Sequence, residues 1–171
     1  MIEVSKLYYD RYGISSDKNF SKIDVSPLMN SILSRASVRK FSKKDISQEL
    51  LTLLLTAAQS APSKSNLQQY SILVIQNQAL KKEISSLIGD TKWALTAPVF
   101  LLFLADVRRN IKITKHKGYN HQNNNVDTFM NGVIDAALSM QCMINASESI
   151  GLGICPISMI RNIIEEVKNL C

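Results

Sequence analysis

The feature that most constrains this chain is one long helical pattern near its C-terminal end. Phe129, Met130, Val133, Ile134, Ala137, Leu138, Met140 and Ile144 recur at helical spacing from Val126 onward, and Gly151 offers the stop such a helix wants. The pattern predicts a helix over 126–150, about seven turns long. Its apolar residues wrap more than one face, so it needs cover on two sides and belongs in the centre of a core or at a subunit interface. A chain of 171 residues is long enough for one domain built around it and too short for two comfortable ones.

Two short apolar runs supply the sheet. Tyr70 to Gln76 carries Ile72, Leu73, Val74 and Ile75 in succession, and Val99 to Ala105 follows Pro98; both read as strands covered on both faces. Ser26-Pro27 caps and opens a helix through Leu28, Met29, Ile32 and Leu33 that runs out near Arg35. Asp45 and Gln48 fit a capping box ahead of a helix over Leu50–Ala58. Asn77 to Ile88 has helical spacing and is broken by Gly89-Asp90, residues 153–157 read as extended, and residues 159–170 form an amphipathic helix. Residues 108–125, basic and then polar from His121 to Asn125, read as a mobile loop. Residues 1–25 form a polar N-terminal arm with a short helical pattern around Val4, Leu7 and Tyr8, and residues 26–171 form the domain. The expected fold is α+β, a central mixed sheet of about four strands with helices on both faces.

Composition narrows the function classes. The net charge of +6 raises nucleic-acid binding, but the excess is moderate and no nucleic-acid module is recognisable, so no nucleic-acid partner is expected. Cys142, Cys155 and Cys171 are widely spaced and lack companion histidines, which argues against a structural metal or a disulfide framework. No secretory pattern opens the sequence, and Val99–Ala105 is far too short to span a bilayer, so a cytoplasmic protein without a membrane partner is expected.

Three segments carry candidate chemistry. In Arg35-Ala36-Ser37-Val38-Arg39, two guanidiniums and a hydroxyl alternate; in extended backbone they share a side and can converge on a phosphate, although a plain basic loop is the commoner meaning of such a run. The loop Pro62-Ser63-Lys64-Ser65-Asn66-Leu67-Gln68 is crowded with neutral donors and acceptors that match the edge of a flavin ring, or else cap their own turn. The run Gly151-Leu-Gly153-Ile-Cys155-Pro156-Ile157-Ser158-Met159 has glycines that let a planar ligand approach backbone, or is simply an extended segment leading into a helix.

In their order and spacing, these three segments resemble the nitroreductase family of FMN enzymes, with R-x-S-x-R-x-F, then A-P-S-x-x-N-x-Q before a strand, then G-L-G, across most of residues 31–162. The resemblance implies that Arg35 and Ser37 bind the FMN phosphate and ribityl end, with Arg39 toward the ribityl chain and pyrimidine edge. It implies that Ser63, Ser65, Asn66 and Gln68 approach the flavin from the partner of a homodimer whose interface includes helix 126–150. Pro156, Ile157, Ser158 and Met159 would line the face near N5, although the family more often has glycine where Ser158 and Met159 stand. Members generally continue several dozen residues further, into a strand that crosses to the partner and a basic pair on the phosphate; this sequence stops at Cys171, as a shortened member or a fragment.

The implied activity is ping-pong hydride transfer from NAD(P)H through FMN to a small-molecule acceptor such as a nitroaromatic or quinone. The alternative is a flavin-binding member with little turnover. The flavin carries the chemistry, so no side chain is nominated as acid, base or nucleophile. His116 and His121 read as solvated, and Asp135 as capped or paired at an interface.

Overall fold

A computed structural model describes residues 4–20, 23–89, 92–122 and 124–170. Asp90 of the expected helix break, Asn123 of the polar tract and Cys171 lie outside them. The elements are α1 (Val4–Tyr12), α2 (Pro27–Ser34), α3 (Gln48–Gln59), β1 (Tyr70–Ile75), α4 (Gln78–Leu87), β2 (Phe100–Ala105), α5 (Arg108–His116), α6 (Val126–Ser149) and α7 (Ile164–Leu170). Short 3-10 turns occupy Lys64–Asn66, Lys92–Thr96 and Met159–Ile163.

Strands β1 and β2 pair antiparallel in a register running from Tyr70 opposite Ala105 to Ile75 opposite Phe100. Alternation along the strands then divides the core in two. Ile75 and Leu102 join Ile84 of α4 and Val167 of α7 on one face. Ile72, Leu101 and Phe103 meet Leu54 and Ala58 of α3 and Met143 of α6 on the other. The α+β layering with helices on both faces is therefore as expected.

The sheet itself differs from the expectation. Among the described residues it has two antiparallel strands, not about four in a mixed arrangement. Segment 153–157 is extended but joins residues 35–41 through a single backbone bond, Val38 N–H to the Ile154 carbonyl at 2.9 Å, and Pro156 has no N–H with which to extend a ladder. Nor are the strands fully covered, since Leu73, Val74 and Leu104 keep more than a third of their surface exposed.

Helix starts follow local chemistry. Ser26 caps α2 by accepting from Met29 N–H, Asn77 caps α4 through Leu80 N–H, and Asn125 caps α6 through Thr128 N–H. Helix α3 begins two residues later than the capping box at Asp45 implied: Ser47 is the cap, accepting from Leu50 N–H, and Gln48 is already helical. The region read as a mobile loop contains α5. Asp106 accepts from Arg108 N–H at its start, Arg109 reaches the carbonyls of Gln68 and Tyr70, and Asn110 reaches that of Leu67. These side-chain anchors outweigh the weak apolar pattern that made the segment look unstructured. The C-terminal helix is split, its first turn being 3-10 before α7. Helix α1 docks on α2, with Leu7 buried and Arg11 donating to the Leu33 carbonyl at 3.0 Å.

One buried cation and one half-buried carboxylate pin the elements. Lys81 of α4, 3 % exposed, donates to the carbonyls of Ala97 at 2.8 Å and Pro98 at 3.3 Å, fixing the entry to β2. Burial pulls its pKa below the usual lysine range, opposed by the charge of Asp45. Asp106 is held well below the usual carboxylate range, chiefly by the hydrogen bond from Arg108, with Ser71 Oγ adding another at 2.7 Å.

Candidate functional site

The first and third candidate segments come together. Gly151 has φ of +81°, so its glycine is required by the helix-ending turn of α6, where Gly151 and Leu152 N–H return to Glu148 and Ser147 carbonyls. The chain then runs alongside residues 35–41. A Cβ on Gly153 would stand 2.8 Å from Val38 Cγ1, so this glycine is needed for packing. The two glycines serve a turn and a close approach within the protein. Val38 is turned onto Gly153, and Arg35, Ser37 and Arg39 alternate with it along the segment.

Their surroundings differ. Arg35 is half-buried and its Nε lies 3.2 Å from both carboxylate oxygens of Glu148, in the last turn of α6. Its Nη2 is buried without a partner, a donor awaiting an acceptor. Ser37 is exposed. Arg39 is exposed and rests 6.0 Å above the ring of Trp93, which also packs against Phe41. Pro156 and Ser158 are exposed, Ile157 is half-buried, and Met159 is 50 % exposed with its Cε near Gly89.

The second segment is a rigid rack. Asp135, on α6 and 1 % exposed, accepts from Ser63 Oγ at 3.0 Å, Lys64 N–H at 3.2 Å and Gln69 N–H at 3.0 Å. Ser63 Oγ in turn accepts from Gln68 N–H at 2.7 Å, so this hydroxyl is spent largely inside the loop. Between these ties, Ser65, Asn66 and Gln68 adopt φ of +51°, +55° and +49°. Left-handed backbone at non-glycine residues costs roughly 1–2 kcal/mol each, on the order of 3–6 kcal/mol together. Three hydrogen bonds to a carboxylate, each worth about 1.5–3 kcal/mol, are enough to hold it. Ser65 and Asn66 stand exposed, and the Gln68 amide is turned to Asn66 Oδ1 at 3.1 Å.

Helix α6 relates the two regions. Glu148 and Asp135 are thirteen residues apart on it, roughly 20 Å at the α-helical rise. Its buried side is small and polar toward the start, with Thr128, Gly132, Asp135 and Ser139, and takes in Met143, Ile144 and Ser147 further on, while Val126, Phe129, Met130, Val133, Ile134 and Leu138 are 37–73 % exposed. Gly132 lets the helix sit against the sheet, since a Cβ there would lie 3.2 Å from Ala105 Cβ and the Gln69 carbonyl. A separate open groove of about 410 Å³ is lined by Asp106, Arg108, Arg109, Lys112 and Ile113. Two of its cations are already engaged, Arg108 with Asp106 and Arg109 with loop carbonyls.

A family profile described as "Nitroreductase family" matches residues 32–171, which takes in all three segments. The chain belongs to the nitroreductase family. It is 37 % identical over 106 residues to an FMN reductase (NADPH) of Bacillus subtilis, an alignment covering 61 % of this chain and 43 % of that protein. It is 36 % identical over 104 residues to an oxygen-insensitive NADPH nitroreductase of Salmonella typhimurium, covering 61 % and 42 %. Among solved structures, NfrA2 of B. megaterium superposes with a TM-score of 0.83 at 32 % identity, covering 85 % of this chain and 60 % of that one. NfrA1 nitroreductase from B. subtilis gives 0.81 at 34 %, covering 84 % and 59 %. The chain thus spans less than half the length of these curated relatives and about three fifths of these structures.

Within this nitroreductase fold, sequence reasoning missed the residues that position the others. Asp135 anchors its own chain's loop and Glu148 engages Arg35. The available signal was the small and polar stripe of α6, in which a lone carboxylate needs donors brought to it. Trp93 gave no motif. No helix among the described residues is long and apolar enough to cross a membrane.

Proposed function

We propose that this nitroreductase-family chain binds FMN between two copies of itself and takes part in hydride transfer from NAD(P)H to a small oxidised acceptor, a nitroaromatic or quinone, in a ping-pong sequence in the cytoplasm. The observation that carries the reading is the layout along α6: the guanidinium segment lies at one end of the helix, the neutral rack roughly 20 Å away, and an apolar face running from Val126 to Leu138, beside the rack, is uncovered. A ligand using both segments from one chain would have to reach that whole distance. Two copies pairing through α6 can set the segment of one against the rack of the other, and covering six large apolar side chains favours that pairing at about 1.5–3 kcal/mol for each one fully buried.

The residues fit the cofactor. Arg35 offers a buried, unpartnered N–H to a phosphate oxygen, and the exposed Ser37 and Arg39 alternate with it along the segment. Bound FMN would supply the hydride acceptance and donation. Arg35 and Ser37 would hold the phosphate and ribityl end, and Arg39, steadied on Trp93, would reach the ribityl chain and pyrimidine edge. Ser65, Asn66 and Gln68 of the other copy would meet the ring edge with neutral donors and acceptors, Ser63 keeping that rack closed. Pro156, Ile157, Ser158 and Met159 would flank the ring and exclude water.

The test is direct. The purified protein, with FMN added, is expected to bind it, run as a dimer on sizing with light scattering, and lose its yellow colour under anaerobic NADPH. Colour without bleaching would leave binding without reductase turnover. Failure to bind added FMN would overturn the reading.

A further inference from the structure

We propose that Asp135 is a positioning residue for the flavin site, its buried carboxylate holding loop 63–69 in the shape that presents Ser65, Asn66 and Gln68 to a flavin bound mainly by the other copy. The inference rests on the reading of that loop as flavin-facing, and it adds a residue that never touches the flavin. Three donors converge on Asp135, and they come from both ends of the loop: Ser63 Oγ and Lys64 N–H where it opens, Gln69 N–H where it closes. Between them lie three non-glycine residues in left-handed backbone, a conformation the segment would relax if either end were released. The exit is braced again outside the carboxylate, where Arg109 donates to the Gln68 and Tyr70 carbonyls and Asp106 N–H to that of Gln69. Beyond Ser63 itself, the entrance is tied to α6 by a long, exposed ion pair from Lys64 Nζ to Asp127 at 3.9 Å, which is worth little in water, so Asp135 decides it.

Chemistry makes the position specific. A carboxylate only accepts, which suits a site receiving three donors. Asparagine has the same shape but would turn an N–H₂ toward at least one of those donors, so Asp135→Asn should release the loop while keeping the volume of the buried side chain.

Arginine and aspartate defects should also complement each other. In a mixed dimer of Arg35→Ala and Asp135→Asn chains, one site carries both defects and the other neither, so random reassociation of two-fold dimers restores roughly a quarter of the sites.

The experiment measures amide exchange over 63–69 and FMN affinity by flavin fluorescence in wild type, Asp135→Asn and Ser139→Ala, the last a fully buried neighbour one turn along α6 whose hydroxyl has no hydrogen-bond partner among the described residues. Asp135→Asn is expected to lower loop protection and weaken FMN tenfold or more, Ser139→Ala to leave both within twofold, and the mixed dimers to regain FMN. Lost protection with FMN affinity unchanged, equal weakening by Ser139→Ala, or no recovery on mixing would overturn the proposal. If Asp135→Asn does not fold, Ser63→Ala removes one of the three donors and should weaken FMN about threefold, and an unchanged affinity would overturn it. A wild type that does not bind FMN defeats the functional reading instead, and loop protection then still reports whether Asp135 shapes the loop.

Discussion

Substituting Gly153 by alanine tests the contact that joins the two halves of the guanidinium side of the site. The new Cβ would lie 2.8, 2.9 and 3.2 Å from Val38 Cγ1, Cβ and Cγ2. Carbon atoms rest at about 3.5–4.0 Å, so the overlap at the nearest atom is roughly 0.7–1.2 Å. Rotating Val38 does not relieve it, because its Cβ is among the atoms struck. The segments must part, and the bond from Val38 N–H to the Ile154 carbonyl, 2.9 Å long, would stretch beyond useful range. Overpacking of this kind costs about 1–3 kcal/mol, and the lost bond adds about 1 kcal/mol. Gly153→Ala is therefore expected to lower unfolding stability by about 2–4 kcal/mol in urea titration. Because Arg35, Ser37 and Arg39 ride on the displaced segment, FMN retention should fall as well. Val38→Ala in the same chain removes two of the three struck atoms and should recover part of both losses. A Gly153→Ala protein as stable as wild type, or a double variant that recovers nothing, would refute the close approach.

Arg35→Ala should reduce FMN retention on a desalting column far more than Lys43→Ala, since only Arg35 has a buried donor on the convergent side; equal retention in the two would count against the assignment. Trp93, the single tryptophan, lies against Arg39, so FMN binding should quench its emission, and an unresponsive signal under saturating FMN would place the flavin elsewhere. Asp106 has a folded pKa below its unfolded value near 3.9, so its ionised form adds stability above that pH, and the contribution disappears as pH falls through the folded value. The melting-temperature gap between wild type and Asp106→Asn should accordingly be present at pH 7 and shrink below pH 4; a constant gap down to pH 3 would contradict the linkage.

Helices α2, α4 and α6 were legible because their caps and apolar spacing are local, and so were both strands. Helix α5 was not, because what holds it lies outside it, in loop carbonyls of Gln68, Tyr70 and Leu67 that only folding brings near. The cap of α3 was misplaced for a smaller reason: Asp45 and Ser47 are both good caps, and spacing alone does not choose between them.

The three segments and their order are properties of the sequence, and they are sufficient for the family, because residue type and spacing along the chain are what a family pattern records. The meaning of individual residues inside them came from tertiary structure. Gly151 and Gly153 answer to a helix end and to Val38, and Ser63 answers to Asp135, a residue seventy-two positions away. Contacts across such distances depend on how α6 lies against the sheet, and nothing local encodes that. The apolar residues of α6 were visible from the start, but which of them face outward was decided by packing, since the helix buries Met143, Ile144 and a run of small and polar residues and leaves the large side chains from Val126 to Leu138 uncovered.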